Sequence, residues 1–191
     1  MKDTERHFIE SGALKKGHFL LASGLHSAHY FQAQSALQYP ETAQLIGRAL
    51  GKMWEGQGIR TAVSLAVGGI ILGHEVAKAL GARHIFVERK DGKLGLHRGF
   101  TLKRGEKVLI VEDVITTGGS VFEAVESVES QGAEITGIAA ILKRGDADFG
   151  YPLRVLLEAD WKKFTPSDCP LCREGMPLTA PGTKQSSRSR N

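Results

Sequence analysis

The sequence predicts an α/β fold, in which a central, mostly parallel sheet is flanked by helices and preceded by a small N-terminal hood. Short runs of β-branched and aliphatic residues alternate with segments of helical periodicity, a pattern typical of a parallel sheet covered by helices. No internal repeat is visible. The chain has 191 residues, of which 41% are hydrophobic and 24% charged, so it can bury one core and differs from disordered or fibrous sequences.

The helices and strands of the core can be assigned in order along the chain. Apolar residues at spacings of three and four after Pro40 predict a helix that ends near Gly56, with one apolar stripe formed by Leu45, Ile46, Ala49, Leu50, Met53 and Trp54. A strand over residues 61–66, a glycine turn and a helix over 70–80 make the first βα unit. Similar patterns predict strands over 84–88, 107–111, 135–142 and 153–157, and a helix over 121–131.

The two ends of the chain depart from this alternation. A short helix over residues 4–11 precedes two strand-like runs, over 19–22 and 29–34, around a turn at Ser23 and Gly24. From about Pro166 the chain is rich in proline and finishes in a Ser/Arg tail, a composition that cannot offset the entropy of ordering. We therefore expect the last ten residues to be mobile. The chain divides into a hood over 1–40, an α/β core over 41–165 and a C-terminal extension over 166–191.

Charge and hydropathy exclude several function classes. Three of the charges behind the net +4 are Lys184, Arg188 and Arg190 in the tail, so the body of the chain is nearly neutral and nucleic acid is disfavoured as a partner. The longest uncharged apolar stretch, residues 61–73, is too short to cross a membrane. The acidic N-terminus is unlike a signal peptide. We therefore expect a cytoplasmic protein with no membrane partner.

Cys169 and Cys172 are the two cysteines of the chain and form a Cys-Pro-Leu-Cys motif near its C-terminus. Such a motif supplies half of the ligands of a zinc site. The sequence offers no local cluster of cysteine and histidine that would complete it. We interpret the pair as structural or incidental, and we expect no intrinsic metal site.

The most informative segment is Val-Leu-Ile-Val-Glu-Asp-Val-Ile-Thr-Thr-Gly-Gly-Ser over residues 108–120. Its apolar run predicts a central strand, so Glu112 and Asp113 emerge at the carboxyl end, where open α/β sheets bind ligands. Residues 116–120 then offer successive backbone N–H groups, hydroxyls and glycines just before a helix, which suits a phosphate. The acids would repel that phosphate unless they accept hydrogen bonds from an adjacent ribose. The segment predicts a ribose-phosphate site, and the GxxxxGK[ST] and GxGxxG motifs of ATP and NAD sites are absent.

This segment resembles the phosphoribosyl-diphosphate (PRPP) signature of type I phosphoribosyltransferases, and the order of the flanking segments is similar to the orotate-specific members. The resemblance covers about residues 5–175. Residues 19–34 resemble the N-terminal hood strands, residues 86–93 the entry to a flexible catalytic loop, and residues 141–144 the strand that bears an orotate-contacting arginine. The resemblance implies transfer of the phosphoribosyl group from PRPP to orotate in UMP synthesis, with release of diphosphate and with Mg²⁺ bound together with PRPP.

The resemblance also assigns roles to individual residues. Glu112 and Asp113 are expected to hold the ribose hydroxyls and to stabilise the positive charge that develops on the ribose. The turn at Val67, Gly68 and Gly69 takes the place of the family's diphosphate loop. The residues expected to contact PRPP elsewhere are Arg89, Lys90, Lys93, His97, Glu112, Asp113, Val114, Ile115, Thr116, Thr117, Gly118, Gly119 and Ser120.

A basic segment over residues 89–99 is interpreted as a flexible lid, because it combines five basic residues with three glycines. Lys93 matches the family's catalytic lysine and would neutralise the departing diphosphate when the lid closes. In the family this loop reaches into the neighbouring subunit's site, so the resemblance implies a homodimer. We therefore expect Lys93, Asp113 and Glu112 to be the catalytic residues.

The base is assigned to a second set of residues. Arg144 follows an apolar strand and offers a rigid bidentate donor for a carboxylate, which orotate has and uracil lacks. Thr116 would add a hydroxyl, while Tyr30 and Phe31 correspond to hood residues that pack on the pyrimidine. Two alternatives stay open: a phosphoribosyltransferase for a purine base or uracil, and a PRPP-sensing regulator that binds nucleic acid.

Two positions depart from the family pattern. Ala22 stands where many members carry a lysine, and the turn over residues 67–69 lacks the lysine that longer members place there. Backbone N–H groups alone are therefore expected to bind the diphosphate at this turn, and the lid is expected to carry more of the charge neutralisation.

Overall fold

The structure is a computed structural model that describes residue 6 and residues 8–181. Its strands are β1 (Leu14–Leu20), β2 (His26–Phe31), β3 (Thr61–Leu65), β4 (Arg83–Lys90), β5 (Lys93–Leu96), β6 (Lys107–Ile115), β7 (Glu134–Lys143), β8 (Leu153–Glu158) and β9 (Lys163–Phe164). Its helices are α1 (Gln34–Leu37), α2 (Pro40–Met53), α3 (Gly69–Leu80), α4 (Gly119–Ser130) and α5 (Pro170–Arg173). These strands form two sheets.

The larger sheet has six strands in the order β5-β4-β3-β6-β7-β8. All neighbours in it are parallel except the edge strand β5, which runs antiparallel to β4. Residues 108–111 of β6 are fully buried because helices cover both faces of the sheet, which explains why this strand is a continuous apolar run. The predicted α/β fold with a mostly parallel sheet is confirmed.

Helices α2 and α3 pack against each other through glycine. A Cβ added to Gly47 would lie 2.4 Å from the Cβ of Glu75, so the close approach requires glycine there. The predicted apolar stripe of α2 is half wrong. Ile46, Leu50 and Trp54 are buried, whereas Leu45, Ala49 and Met53 lie on an exposed row, because the buried face of α2 is turned toward its glycines. No helix within the described residues has the length and apolar character needed to span a bilayer.

The hood contains a small antiparallel sheet of three strands in the order β1-β2-β9. Its strands differ from the predicted ones: β1 begins five residues before residue 19, and β2 ends at Phe31 rather than at residue 34. The chain turns at residues 21–25, where the Leu21 N–H donates to the Leu25 carbonyl at 2.8 Å. Residues 8–10 are helical, within the helix predicted over 4–11.

The predicted lid is largely a β-hairpin. Strands β4 and β5 pair with Lys90 opposite Lys93, and the connecting residues Asp91 and Gly92 both have positive φ, at 51° and 82°. Two such residues form the tight turn that fits the twist of paired strands. The strand predicted over 84–88 continues to Lys90, and residues 93–96 form a strand that was not predicted; the interpretation of 89–99 as a flexible lid stays a prediction.

The C-terminal segment lies against the hood. Strand β9 pairs with β2, and the N–H of Thr179 donates to the His18 carbonyl of β1 at 2.9 Å. Between these contacts lie a 3₁₀ turn, Pro166–Asp168, and the short helix α5. The division into hood, core and extension stays a prediction. Residues 163–164 were assigned to the core, but they pair with β2 of the hood. The tail predicted to be mobile, residues 182–191, lies outside the described residues.

Candidate active site

The signature segment spans the end of the central strand and the start of a helix. Strand β6 continues to Ile115, so Glu112 and Asp113 lie inside the strand, near its carboxyl end, rather than after it. Residues 116–118 connect it to α4, which begins at Gly119. Glu112 and residues 114–121 together line a small cavity of about 70 Å³. This arrangement brings the predicted acids and the predicted phosphate loop to one place.

Glu112 is a buried carboxyl, 9% exposed. Burial, and secondly the neighbouring charge of Asp113, raise the pKa of Glu112 from 4.5 to about 9. Its Oε1 accepts a hydrogen bond from the N–H of Asp113 at 2.8 Å. In the ligand-free chain at neutral pH Glu112 is therefore protonated, and it can donate a hydrogen bond as well as accept one.

The Asp113 carboxyl is fixed by hydrogen bonds to both of its oxygens. Its Oδ1 accepts from the N–H of Val114 at 2.7 Å, and its Oδ2 accepts from Nε2 of Gln34 at 2.7 Å. Gln34 belongs to a chain of hydrogen bonds that extends into the hood, because Gln32 donates to Gln34 at 2.6 Å and the Tyr30 hydroxyl donates to Gln32 at 3.0 Å. Tyr30, which was predicted to contact the base, is thus connected to Asp113, which was predicted to contact the ribose.

The phosphate loop depends on one glycine conformation. Gly118 caps α4 with a φ of +80°, and a Cβ there would lie 2.8 Å from the ring of Phe149 and 3.0 Å from the Cβ of Ala147. A side chain would therefore be strained and would collide with the neighbouring loop. Because the first N–H groups of a helix have no intrahelical partner, those of α4 are available at this loop to an anion.

The predicted diphosphate loop lies directly beside the acids. A Cβ on Gly68 would be 2.5 Å from Oδ2 of Asp113, and a Cβ on Gly69 would be 3.3 Å from Oε1 of Glu112. Gly68 therefore needs glycine for this close approach, and a side chain at Gly69 would make a tight contact. Val67 is 83% exposed and, with Gly68 and Gln34, lines a cleft of about 340 Å³. A larger cavity of about 640 Å³ between α2 and α3 contains no signature residue, so side-chain chemistry and not volume identifies the site.

Arg144 lies at the same edge of the sheet. Its N–H donates to the Ile115 carbonyl at 2.8 Å, which connects the end of β7 to the end of β6. Its guanidinium is 5.6 Å from the ring centre of Trp161, and Trp161 stacks on His29 of the hood with centroids 5.0 Å apart. Burial lowers the pKa of Arg144 below its ordinary value. No ion pair joins this guanidinium to any of the residues that the structure describes.

The two predicted hood aromatics differ in their surroundings. Tyr30 is half-buried, and its ring lies 5.7 Å from that of Phe19. Phe31 is 9% exposed and packs edge-on against Phe8 with centroids 5.2 Å apart, so its ring belongs to the core. Only the backbone of Phe31 is left for a contact with a base.

The lid residues fall into two groups. Arg89 makes a bidentate ion pair with Glu123 of α4, at 2.8 and 2.9 Å, and Arg98 makes one with Glu88, also at 2.8 and 2.9 Å. Arg89 therefore connects the hairpin to α4 in this conformation. Lys90 and Lys93, at the tip of the hairpin, are exposed, and neither pairs with a carboxylate in the part of the chain that is described. His97 is half-buried.

Several residues of the site were not predicted from the sequence. Gln32 and Gln34 alternate with Tyr30, and Trp161 lies in a segment without a motif. The alternation of polar residues at 30, 32 and 34 is the signal that could have indicated one polar face.

Comparisons with known proteins identify the family of the chain. The model of the phosphoribosyl transferase domain family matches residues 33–165. An orotate phosphoribosyltransferase from Caldicellulosiruptor bescii is 47% identical over 180 residues, which are 93% of this chain and 95% of that protein. The chain belongs to the orotate phosphoribosyltransferase family.

Solved structures resemble the chain in fold. Orotate phosphoribosyltransferase from Mycobacterium tuberculosis superposes with a TM-score of 0.64 at 21% identity, over 83% of this chain and 97% of that one. Adenine phosphoribosyltransferase from Rhodothermus marinus gives 0.66 at 21% identity, over 83% and 100%. The orotate phosphoribosyltransferase family thus shares this fold with adenine phosphoribosyltransferases, so the fold alone does not determine which base is used.

Proposed function

We propose that the protein transfers the 5-phosphoribosyl group from PRPP to N1 of orotate, which yields orotidine 5′-monophosphate and diphosphate. The C1–oxygen bond to diphosphate breaks and the diphosphate leaves with the electron pair, while N1 of orotate releases its proton to solvent and forms the new bond to C1. The observation that carries this proposal is the position of Asp113. Its carboxylate lies beside the Gly68 turn, adjoins the phosphate loop and is hydrogen-bonded by Gln34 to the hood.

The two acids are proposed to have different roles. Asp113 is the carboxylate that accepts from the ribose hydroxyls and stabilises positive charge on the ribose in the transition state. Glu112, with its raised pKa, is protonated in the empty site, so it binds a ribose oxygen as a neutral partner and does not repel the incoming phosphates. The loop of residues 116–120 binds the 5′-phosphate through backbone N–H groups and hydroxyls.

The residues present fit a magnesium ion that arrives with PRPP. Asp113 offers carboxylate oxygens, which a hard cation prefers together with phosphate oxygens and water. Asp113 is the residue that would hold it, directly or through water. When bound, the ion neutralises charge on the diphosphate leaving group.

Arg144 is proposed to select orotate. A hydrogen bond to Ile115 fixes the backbone of Arg144, and its guanidinium lies over the ring of Trp161. The guanidinium has no carboxylate partner among the described residues, so a substrate carboxylate can satisfy it. Burial favours such pairing because an unpaired buried charge is costly. Uracil and the purine bases lack this carboxylate.

The lid is proposed to act across a homodimer in the cytoplasm. Lys93 and Lys90 lie at the tip of an exposed hairpin with no partner carboxylate in the described chain, and they suit a diphosphate on a second subunit. Closure of the lid would exclude water and place Lys93 where negative charge develops.

The test mixes purified protein with PRPP, Mg²⁺ and each of orotate, uracil, hypoxanthine, xanthine and adenine, while the base absorbance and diphosphate release are followed. We expect turnover with orotate alone. Arg144→Gln should reduce kcat/KM for orotate by about 100-fold or more and leave the affinity for PRPP unchanged, because it removes a bidentate charged contact. The matched control is Arg48→Gln, at an exposed arginine of α2. Turnover of another base, with orotate unconsumed, would overturn the proposed specificity.

A further inference from the structure

The structure brings together four potential metal ligands outside the active site. They are His18 of β1, His26 of β2, Cys169 and Cys172, and their ligand atoms all lie within 4.8 Å of one another. The first three residues are buried, and Cys172 is exposed. The cysteines are both free thiols. We call these four residues the His₂Cys₂ cluster.

Three of the six distances between ligand atoms of the His₂Cys₂ cluster fall in the range of a tetrahedral zinc site, and all six are within 4.8 Å. Cys169 Sγ is 3.5 Å from His18 Nε2, and Cys172 Sγ is 3.7 Å from the same nitrogen and 3.4 Å from His26 Nδ1. Zinc bound tetrahedrally by two sulfurs and two nitrogens separates its ligand atoms by about 3.3–3.8 Å. The two ring nitrogens lie 2.9 Å apart and would separate by about 0.4 Å to admit the ion.

The ring of His18 is held in the tautomer that a metal ligand requires. Its Nδ1 lies 2.9 Å from the Met176 carbonyl oxygen, which can only accept a hydrogen bond. Nδ1 therefore carries the proton, and the lone pair of Nε2 is directed toward His26 and the two sulfurs. Metal-bound histidines typically donate their second ring N–H to such a carbonyl.

The backbone around the His₂Cys₂ cluster is fixed on both sides. Before the cysteines in the chain, Phe164 of β9 pairs with His26 of β2. After the cysteines, the chain returns to β1, where Leu20 and the His18 carbonyl both bond Thr179 at 2.9 Å. The four ligands therefore come from segments that the fold already holds together, and a bound ion would join the C-terminal segment to the hood.

We propose that the His₂Cys₂ cluster binds one structural zinc ion. Cysteine and histidine are the ligands that zinc prefers, and two thiolates neutralise its charge in a mostly buried place. All four positions of the tetrahedron are occupied by protein, so no position is open for catalysis. The site adds a metal to the hood that is distinct from the magnesium that accompanies PRPP.

The first experiment measures the zinc content of the whole chain. The protein is produced without a histidine tag in zinc-supplemented medium, passed through gel filtration under reducing conditions and analysed by mass spectrometry for metals. We expect about one zinc per chain. Cys172→Ser, at the exposed ligand, and His26→Gln should lose nearly all of it. His74→Gln, at an exposed histidine of α3 outside the cluster, should retain it.

The second experiment keeps the proposal testable even if a variant folds poorly. Wild-type protein is stripped with a chelator and loaded with cobalt(II), whose visible absorption is intense in a tetrahedral site and whose near-ultraviolet absorption reports thiolate bonds. Hydrogen exchange of residues 14–31 should rise on stripping and fall again when zinc is restored. The proposal is overturned if the wild-type chain contains no zinc, or if cobalt(II) gives an octahedral spectrum. The four residues would then form only a hydrogen-bonded cluster.

Discussion

Gln34 donates a hydrogen bond from Nε2 to Oδ2 of Asp113 at 2.7 Å, although 79 positions separate the two residues. This bond joins the first residue of α1, just after the hood strands, to the acid at the end of the central strand. Through Gln32 it continues to the hydroxyl of Tyr30. The hood and the PRPP side of the site are therefore parts of one polar network.

Loss of this bond should weaken catalysis without unfolding the chain. In Gln34→Ala, Asp113 loses the donor that orients its carboxylate, and we expect kcat/KM for PRPP to fall by about 10-fold or more. Gln57→Ala is the matched control, because Gln57 is an exposed glutamine after α2, outside the hood and the signature segment. Steady-state kinetics at saturating orotate measure both variants. Equal kinetics in the two variants would mean that Gln34 does not position Asp113.

A side chain at Gly118 should damage the phosphate loop. Gly118→Ala must adopt a positive φ and must displace the ring of Phe149, so we expect a loss of about 1–3 kcal/mol of stability and a clear rise in the Kd for PRPP. Gly105→Ala is the control, since Gly105 has a similar φ of +72° but open space around its Cβ position. Denaturant unfolding and calorimetric titration measure the two effects. If both variants bind PRPP equally, the loop does not depend on this packing.

Glu112 should make the ligand-free protein less stable as the pH rises. The folded chain keeps this carboxyl protonated up to about pH 9, whereas the unfolded chain releases the proton near pH 4.5. The folded state therefore binds more protons between these values, and the free energy of unfolding falls across this interval. Between pH 5 and pH 8.5 the contribution is on the order of a few kcal/mol.

The substitution Glu112→Gln removes this titration. We expect the variant to gain stability relative to the wild type as the pH rises from 5 to 8.5, measured by urea unfolding without ligands. The control is Glu55→Gln, at an exposed position. Parallel pH profiles for Glu112→Gln and the wild type would show that Glu112 ionises normally in the folded chain.

Mixed dimers test whether the lid serves the neighbouring subunit. Lys93→Ala and Asp113→Asn should each be nearly inactive, because one lacks the lid lysine and the other the ribose carboxylate. If the lid acts in trans, a mixed dimer contains one intact site, and an equal mixture regains roughly a quarter of wild-type activity. Reshuffled subunits are identified by native mass spectrometry before the assay. A verified mixed dimer without activity would mean that each lid serves its own subunit.

The sequence predicted those parts of the fold that depend on local pattern. The buried run of β6, the two acids at its end and the glycine turn before α4 are adjacent in the chain, so their arrangement follows from one strand and one helix start. The lid hairpin was missed because Lys93, Leu94 and Gly95 have little strand propensity, and pairing with β4 determines their conformation.

Contacts between distant segments were out of reach of such patterns. Gln34 touches Asp113 only because the hood folds over the sheet, and nothing near Gln34 indicates it. The two histidines of the His₂Cys₂ cluster are separated in the chain from its two cysteines by 143 or more positions. The C-terminal segment covers the polar face of β1. The sequence does not show this contact, so the alternation of residues alone could not give the position of β1.

The middle strand of the hood sheet, β2, takes one neighbour from the first twenty residues and the other from residues 163–164. During synthesis on the ribosome, the chain emerges from its N-terminus, so β2 stays without its second neighbour until more than four-fifths of the protein has been made. The α/β core can form earlier, since its strands and helices are consecutive. The pocket for the base is therefore expected to be the last part of the enzyme to mature, and chains released early would carry a phosphate loop without a complete hood.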